Sequence, residues 1–357
     1  MPARPQTPGP TPGESPSWRE LPGDPTAQLT WVLEESGEFP DLPGAKQLAP
    51  DQVVSLRGGV DAATYLVRCP HRDVVVKLNS EGLEAEARAL RAWRPYTERV
   101  PEVVGIGTVP LIGESSIKYL ILAAVKNDVG DIVETAADFL NRSPQTATEL
   151  GRALGTELYR MHQAVDHEGF GNFGDSPGSE RTYGDWNTYL EDFFALHATF
   201  LLQLSIDEDR ISAARAFIRA CPYVEEGRFL HGDVSIRNVG VHKYDPLTVG
   251  LFDPNPLSGD PSWDIAPLLN NAAFNELRHR RTGALPDTLE RDQHLVAGFW
   301  ECYNGEIAEE SLRTAQLVQS ILQAEVRHAH LEQGHTEEID VKVTHEFIRE
   351  LMNRIAA

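Results

Sequence analysis

The chain has 357 residues, 41% hydrophobic and 24% charged, which allows a large buried core and two domains or lobes. Its 32 basic against 54 acidic residues give a formal charge of −22. That balance excludes a nucleic-acid surface, because phosphates would be repelled and no basic patch is segregated. No run approaches the roughly 18 apolar residues of a membrane span, and the N-terminus lacks the charged-then-apolar order of a secretory signal. A soluble cytoplasmic protein with no membrane partner is expected. The cysteines Cys69, Cys221 and Cys302 are far apart, show no metal spacing and cannot all pair within one chain, which fits buried thiols in a reducing compartment.

Residues 1–26 hold eight prolines among Gly, Ser and Thr and show no helical or strand periodicity, so a disordered leader is expected there. Residues 27–125 form the next domain, rich in strands from about Pro40. Gln52 to Leu56 and Thr64 to Val67 are β-type runs flanking a turn that contains Gly58 and Gly59, and Asp73 to Leu78 is an apolar strand carrying Lys77. Ser80 can cap a helix whose Leu83, Ala87, Leu90 and Trp93 share one face. Strands near Val103 to Gly107 and Ile117 to Leu122 complete a five-stranded sheet, and Ala123-Ala124-Val125 is the connector. Residues 126–357 read as a mostly helical domain. Amphipathic segments cover Thr148 to Val165, Thr188 to Leu204 and Ile206 to Ala220, and helices resume from Trp263. Val239 to Lys243 and Thr248 to Phe252 form a hairpin joined through Tyr244-Asp245-Pro246, which brings Asn238 and Asp253 together at its base.

The chemistry lies around that hairpin. An isolated His231-Gly232-Asp233 would be read as a turn between strands. The Asn five positions after Asp233, and the strand running into Asp253, change the reading to a kinase catalytic loop. Asp233 can receive or orient an acceptor hydroxyl, while Asn238 and Asp253 offer the hard oxygen ligands that suit magnesium on nucleotide phosphates. Lys77, on an apolar strand, needs an anionic partner. Phosphate oxygens and Glu86 of the following helix supply it, with Glu84 as the alternative. Gly58 and Gly59 precede that strand, where backbone N–H groups can approach phosphates without a β-carbon in the way. His231 and His162 are read as packing and hydrogen-bonding residues, and Asp264 as a residue that holds backbone N–H groups or the catalytic loop.

The ordered set Gly58-Gly59, Lys77, Glu86, His231-Gly-Asp233-x4-Asn238, Asp253-Pro254 and Gly259-Asp-Pro-x-x-Asp264 resembles the aminoglycoside phosphotransferase family. The resemblance covers about residues 45 to 270. It implies an α+β, bilobal protein-kinase-like fold: a five-stranded antiparallel sheet with one main helix, then a larger helical lobe, with a nucleotide cleft between the two. It also implies ATP or GTP as phosphoryl donor, magnesium, and O-phosphorylation of a small hydroxylated molecule in an acceptor pocket of the helical lobe. The guess it favours is an aminoglycoside or similar amino or guanidino sugar, and hence antibiotic resistance. Fructosamine, choline, homoserine and sugar kinases share the same motif logic, and a nucleotide-binding pseudokinase is the third alternative. Glu86-Ala-Arg-Ala-Leu-Arg-Ala-Trp93 and the run from Phe252 to Pro261 lean toward the streptomycin-kinase branch. Ala123-Ala124 replaces the acidic residue often present at the connector, so main-chain groups would read the adenine. Glu191-Asp192 is a carboxylate-rich stretch available to an acceptor pocket.

Overall fold

The computed structural model describes residues 29, 32, 33, 52–56, 63–68, 72–78, 82–110, 116–125, 134–173, 183–242, 245–283, 287–332 and 337–356. The Pro-rich leader, Gly58, Gly59, Cys69 and Ser80 lie outside the described residues. Two compact units divide the chain: Met1–Ala87 with Pro101–Ala124, and Arg88–Val100 with Val125–Ala357.

In the first unit, β1 (Val53–Leu56), β2 (Ala63–Val67), β3 (Val74–Leu78), β4 (Val103–Pro110) and β5 (Ser116–Ala123) make a five-stranded antiparallel sheet in the order β1-β2-β3-β5-β4. Three consecutive valines start β3, and β-branched side chains suit a pleated surface. The alternation of a strand puts Val74, Val76 and Leu78 on one face, where they pack with Leu29, Val32, Leu33, Ile117 and Ile121. Lys77 therefore falls on the opposite face, against the register partners Thr64 and Leu120. Helix α1 (Leu83–Trp93) follows, with Glu84 and Glu86 in its first turn and Arg91 in its last, the order the helix dipole favours. Its residues from Arg88 onward count with the second unit.

The second unit contains two small sheets and a set of helices. One sheet has the order β11-β10-β6, from β6 (Glu134–Thr135), β10 (Val239–His242) and β11 (Asp245–Leu251). The other has the order β7-β9-β12-β8, from β7 (Val165–Asp166), β8 (Gly171–Asn172), β9 (Gly227–Leu230) and β12 (Leu257–Gly259). The helices are α2 (Ala136–Arg142), α3 (Ala147–Met161), α4 (Trp186–Gln203), α5 (Glu208–Arg219), α6 (Ser262–Thr282), α7 (Asp287–Cys302), α8 (Glu309–Glu332) and α9 (Glu338–Ala356). Trp186, Phe194, Trp263, Leu317 and Phe347 belong to one large core built from α4, α6, α8 and α9. Helices α3 and α7 approach so closely that a β-carbon on Gly151 would lie 2.1 Å from the Leu295 carbonyl oxygen.

The structure moves several expected boundaries. The helix expected over 148–165 stops at Met161, because Val165 and Asp166 pair with Arg228 and Gly227 as a strand. The helices expected at 188–204 and 206–220 run over Trp186–Gln203 and Glu208–Arg219, where Asp185 and Asp207 accept from Thr188 N and Arg210 N as caps. The second hairpin strand begins at Asp245, so Asp245 and Pro246 belong to the strand rather than to its turn. Cys221 is buried, with its sulfur 2.8 Å from the Thr314 hydroxyl, whereas Cys302 is half-buried rather than buried. Among the described residues no helix is long and apolar enough to cross a membrane.

A buried carboxylate marks the α3 face of this unit. Glu157 accepts a hydrogen bond from the Thr97 hydroxyl and lies 3.4 Å from Arg160. Burial pushes its carboxyl above the ordinary range, against the opposing pull of Thr97 and the nearby arginines. For a group raised in this way, the folded state is favoured below the ordinary carboxyl pKa and loses that advantage as pH climbs through the raised value. Glu157→Gln keeps the acceptor for Thr97 and removes the charge. Urea unfolding should show the variant matching or exceeding the parent at pH 8, and losing any advantage as pH falls toward the ordinary glutamate range.

Candidate active site

Lys77 and Glu86 form the buried pair of the first unit. The Lys77 ammonium lies 2.8 Å from each Glu86 oxygen, with the two residues 7% and 5% exposed. An edge strand or a surface helix would leave both in water; here β3 is central and Glu86 stands on the buried side of α1. Glu84 faces Lys118 instead, at 3.7 Å on a half-exposed surface. Charge-assisted bonds to both carboxylate oxygens fix the ammonium in place on the strand.

In the second unit, β9 delivers the chain to His231-Gly232-Asp233 and the β10–β11 hairpin carries Asn238 and Asp253 at its open end. Val239 is opposite Leu251, and Phe252 N–H donates to the Asn238 carbonyl at 2.8 Å. The Asn238 side-chain amide donates to Asp233, 2.8 Å to Oδ2 and 3.0 Å to its carbonyl oxygen. Two of the predicted residues thus touch. The same bonds commit the Asn238 nitrogen, so its amide oxygen is the atom left to face a cation. Asp233 and Asp253 are exposed. Asp253 has φ +54°, a left-handed backbone that costs energy for a residue with a β-carbon and is concentrated at functional turns. Gly232 has φ +76°, and a β-carbon there would lie 1.8 Å from the Asn255 carbonyl oxygen, so only glycine fits this turn.

Beneath the loop lies a scaffold that holds it. Asp264, at the start of α6 and 0% exposed, accepts the N–H groups of His231 and Gly232, each at 2.7 Å. His162 Nε2 also lies 3.0 Å from the same carboxylate. His231 is fully buried, and its Nε2 lies 2.9 Å from the Phe252 carbonyl oxygen. A carbonyl only accepts, so the proton sits on Nε2 and Nδ1 faces the Asp233 N–H. Burial pushes the His231 pKa down, overriding the pull of Asp264 and Asp233, and the ring is neutral. The indole N–H of Trp93 donates to the Phe229 carbonyl at 3.1 Å, while its ring stacks on His231 at 6.1 Å and 10°. Sequence reasoning placed Trp93 only on an apolar face. Its indole nitrogen was the signal for a polar contact.

Glu191 accepts from Arg219 at 2.6 Å, and that hydrogen bond holds its carboxyl pKa below the ordinary range. Among the described residues no group of three or more His, Cys, Asp and Glu side chains gathers as a metal site. Magnesium does not require one, because it keeps waters and phosphate oxygens and takes only one or two protein ligands. The oxygen donors of Asn238 and Asp253 fit it.

A sheet carrying a buried Lys–Glu pair, and a loop–hairpin carrying Asp, Asn and Asp, define a protein-kinase-like phosphotransferase. The model of the phosphotransferase enzyme family matches residues 52–304, and the chain belongs to that family. No curated protein matches the chain. Among solved structures, aminoglycoside phosphotransferase APH(4)-Ia is 16% identical with a TM-score of 0.60, covering 93% of this chain and 99% of that one. A ternary complex of a thermostable mutant of it, with ADP and hygromycin B, is 16% identical with a TM-score of 0.55, covering 92% and 98%. A choline/ethanolamine kinase family protein from Mesorhizobium loti is 14% identical with a TM-score of 0.53, covering 90% and 94%. At these identities the likeness is one of fold.

Proposed function

We propose that the chain is an ATP-dependent kinase that transfers the γ-phosphoryl group to a hydroxyl of a small molecule, with an aminoglycoside or similar amino or guanidino sugar as the favoured acceptor. The observation that carries the reading is the direct bond from Asn238 to Asp233, which ties the side chain read as the base to the one read as a metal ligand. The Asp233 carboxylate accepts the hydrogen bond of the acceptor hydroxyl and takes its proton as the new oxygen–phosphorus bond forms and the β–γ bridge breaks to release the nucleoside diphosphate. Lys77, oriented by Glu86, meets phosphate oxygens, and the glycines Gly58 and Gly59 would offer them backbone N–H groups. Asn238 and Asp253 would hold magnesium, which neutralises phosphate charge when bound. Residues 27–125 then serve the nucleotide, and residues 126–357 the acceptor and the chemistry.

The favoured acceptor rests on the net charge of −22, which draws polycationic sugars, and on the fold shared with an enzyme solved together with hygromycin B. The lean to streptomycin rests on the two sequence segments alone. A metabolic amino alcohol is the second reading, supported by the comparable likeness to a choline/ethanolamine kinase family protein. The test is ATP or GTP turnover against a panel of aminoglycosides, choline, fructosamines, homoserine and sugars, with Asp253→Ala as control. Turnover of an aminoglycoside together with protection of a susceptible bacterial host supports the first reading. Phosphorylation of a metabolite without protection supports the second, and turnover that survives in Asp253→Ala sinks both.

A further inference from the structure

We infer that His162 and Tyr303 are positioning residues for the catalytic loop, acting on it through Asp264; the inference rests on the phosphotransferase reading above. The Asp264 carboxylate is wholly buried, and among the described residues no Lys or Arg pairs with it. It is satisfied by three N–H groups instead. Two come from the adjacent peptides of His231 and Gly232, so the carboxylate grips the turn that aims Asp233. The third comes from His162.

The direction of each bond follows from the groups. A carboxylate that accepts two backbone N–H groups has no proton to give, so His162 Nε2 is the donor across its 3.0 Å contact. The other ring nitrogen, Nδ1, lies 3.0 Å from the Tyr303 hydroxyl. Burial pushes the Tyr303 pKa up and keeps its proton in place, so the phenol donates to Nδ1. Tyr303 is itself fixed, stacked on Phe299 at 5.3 Å and 17° and set edge-on to Tyr159. The result is an ordered relay: Tyr303 O–H to His162, His162 N–H to Asp264, and Asp264 to the two amides of the loop. It starts at Tyr303, just past the end of α7, and ends on the turn that leads into the proposed base, with all three of its side chains buried. A tyrosine hydroxyl that sets the ring, and a ring that sets the carboxylate, make a rigid support for a turn that already contains a left-handed glycine. Loss of the His162 donor leaves Oδ2 with the His231 N–H alone, frees the carboxylate to turn and so loosens its hold on both peptides, and misplacing a reactive group by about 1 Å can cost about 10²-fold in rate.

Three variants test this in the full-length protein. His162→Leu removes the donor, His162→Gln places an amide N–H near the lost Nε2, and Tyr303→Phe removes only the hydroxyl. The readouts are kcat and KM for nucleotide and acceptor, and amide hydrogen exchange at Gly232. His162→Leu should lower kcat about 10- to 100-fold with little change in nucleotide KM and should quicken Gly232 exchange. His162→Gln should recover most of both, and Tyr303→Phe should show a smaller change in the same direction. Equal behaviour of the Leu and Gln variants, or Gly232 exchange at the parent rate in both Leu and Phe variants, overturns the relay. Should His162→Leu fail to fold, Tyr303→Phe decides: slower kcat with faster exchange supports it, and parent values of both overturn it. A parent protein that turns over no acceptor defeats the phosphotransferase reading, whereas the exchange comparison still decides the relay.

Discussion

Asp233→Asn lowers kcat by about 10²- to 10⁴-fold, leaves the nucleotide KM close to the parent value and leaves thermal unfolding unchanged. The substitution keeps the size of the side chain and an oxygen able to accept from Asn238, so the loop retains the 2.8 Å bond that ties its two ends. Only the ability to take a proton is lost. Asp233 is exposed, so its charge is hydrated and removing it leaves no buried group unpaired. Because the effect is confined to the chemical step, pre-steady-state bursts should vanish while nucleotide binding by calorimetry persists. A kcat within a few-fold of the parent would return His231-Gly232-Asp233 to a simple turn between strands.

The residues of that loop were legible because their chemistry is local. Asp233, Asn238 and Asp253 lie on one loop and hairpin, and the valine run of β3 announces both a strand and the exceptional lysine that follows it. The scaffold was less legible, and the reason is separation along the chain. Asp264 reaches the loop from 33 residues away, and His162 meets Tyr303 across 141 residues. No periodicity or spacing encodes such a contact, although Asp264 could still be read as a holder of backbone N–H groups from its place at a helix start. The small strands failed for another reason. β6, β7 and β8 are two residues each and exist only because their partners supply hydrogen bonds, as when Gly240 and Val241 pair with Thr135 and Glu134. Alternation has no meaning over two positions. Helix ends shifted where an Asp outside the apolar pattern capped the first turn, as Asp185 and Asp207 do.

The buried Lys77–Glu86 pair allows stability and function to be separated by experiment. Glu86→Ala leaves an ammonium in a place that is 7% exposed and removes the carboxylate that meets it at 2.8 Å with both oxygens. Breaking a buried pair on one side costs about 3 to 5 kcal/mol. Loss of the orienting carboxylate should also raise the nucleotide KM and lower kcat. Lys77→Met alone removes the charge proposed to meet phosphate and strands the glutamate, so it too should lose both stability and activity. The double variant Lys77→Met/Glu86→Leu has no charge to desolvate, and its apolar side chains suit a surface flanked by Thr64 and Leu120. Replacing a whole buried pair with packed apolar groups is often neutral or stabilising by about 1 to 4 kcal/mol. Denaturant midpoints should therefore rank the double variant at or above the parent and both single variants well below it. Phosphoryl transfer should not return, because the lysine that would grip the nucleotide is gone. A double variant that regains activity with its stability would show that the pair is a packing device, and a double variant as unstable as the singles would show that the site needs the charges for its fold.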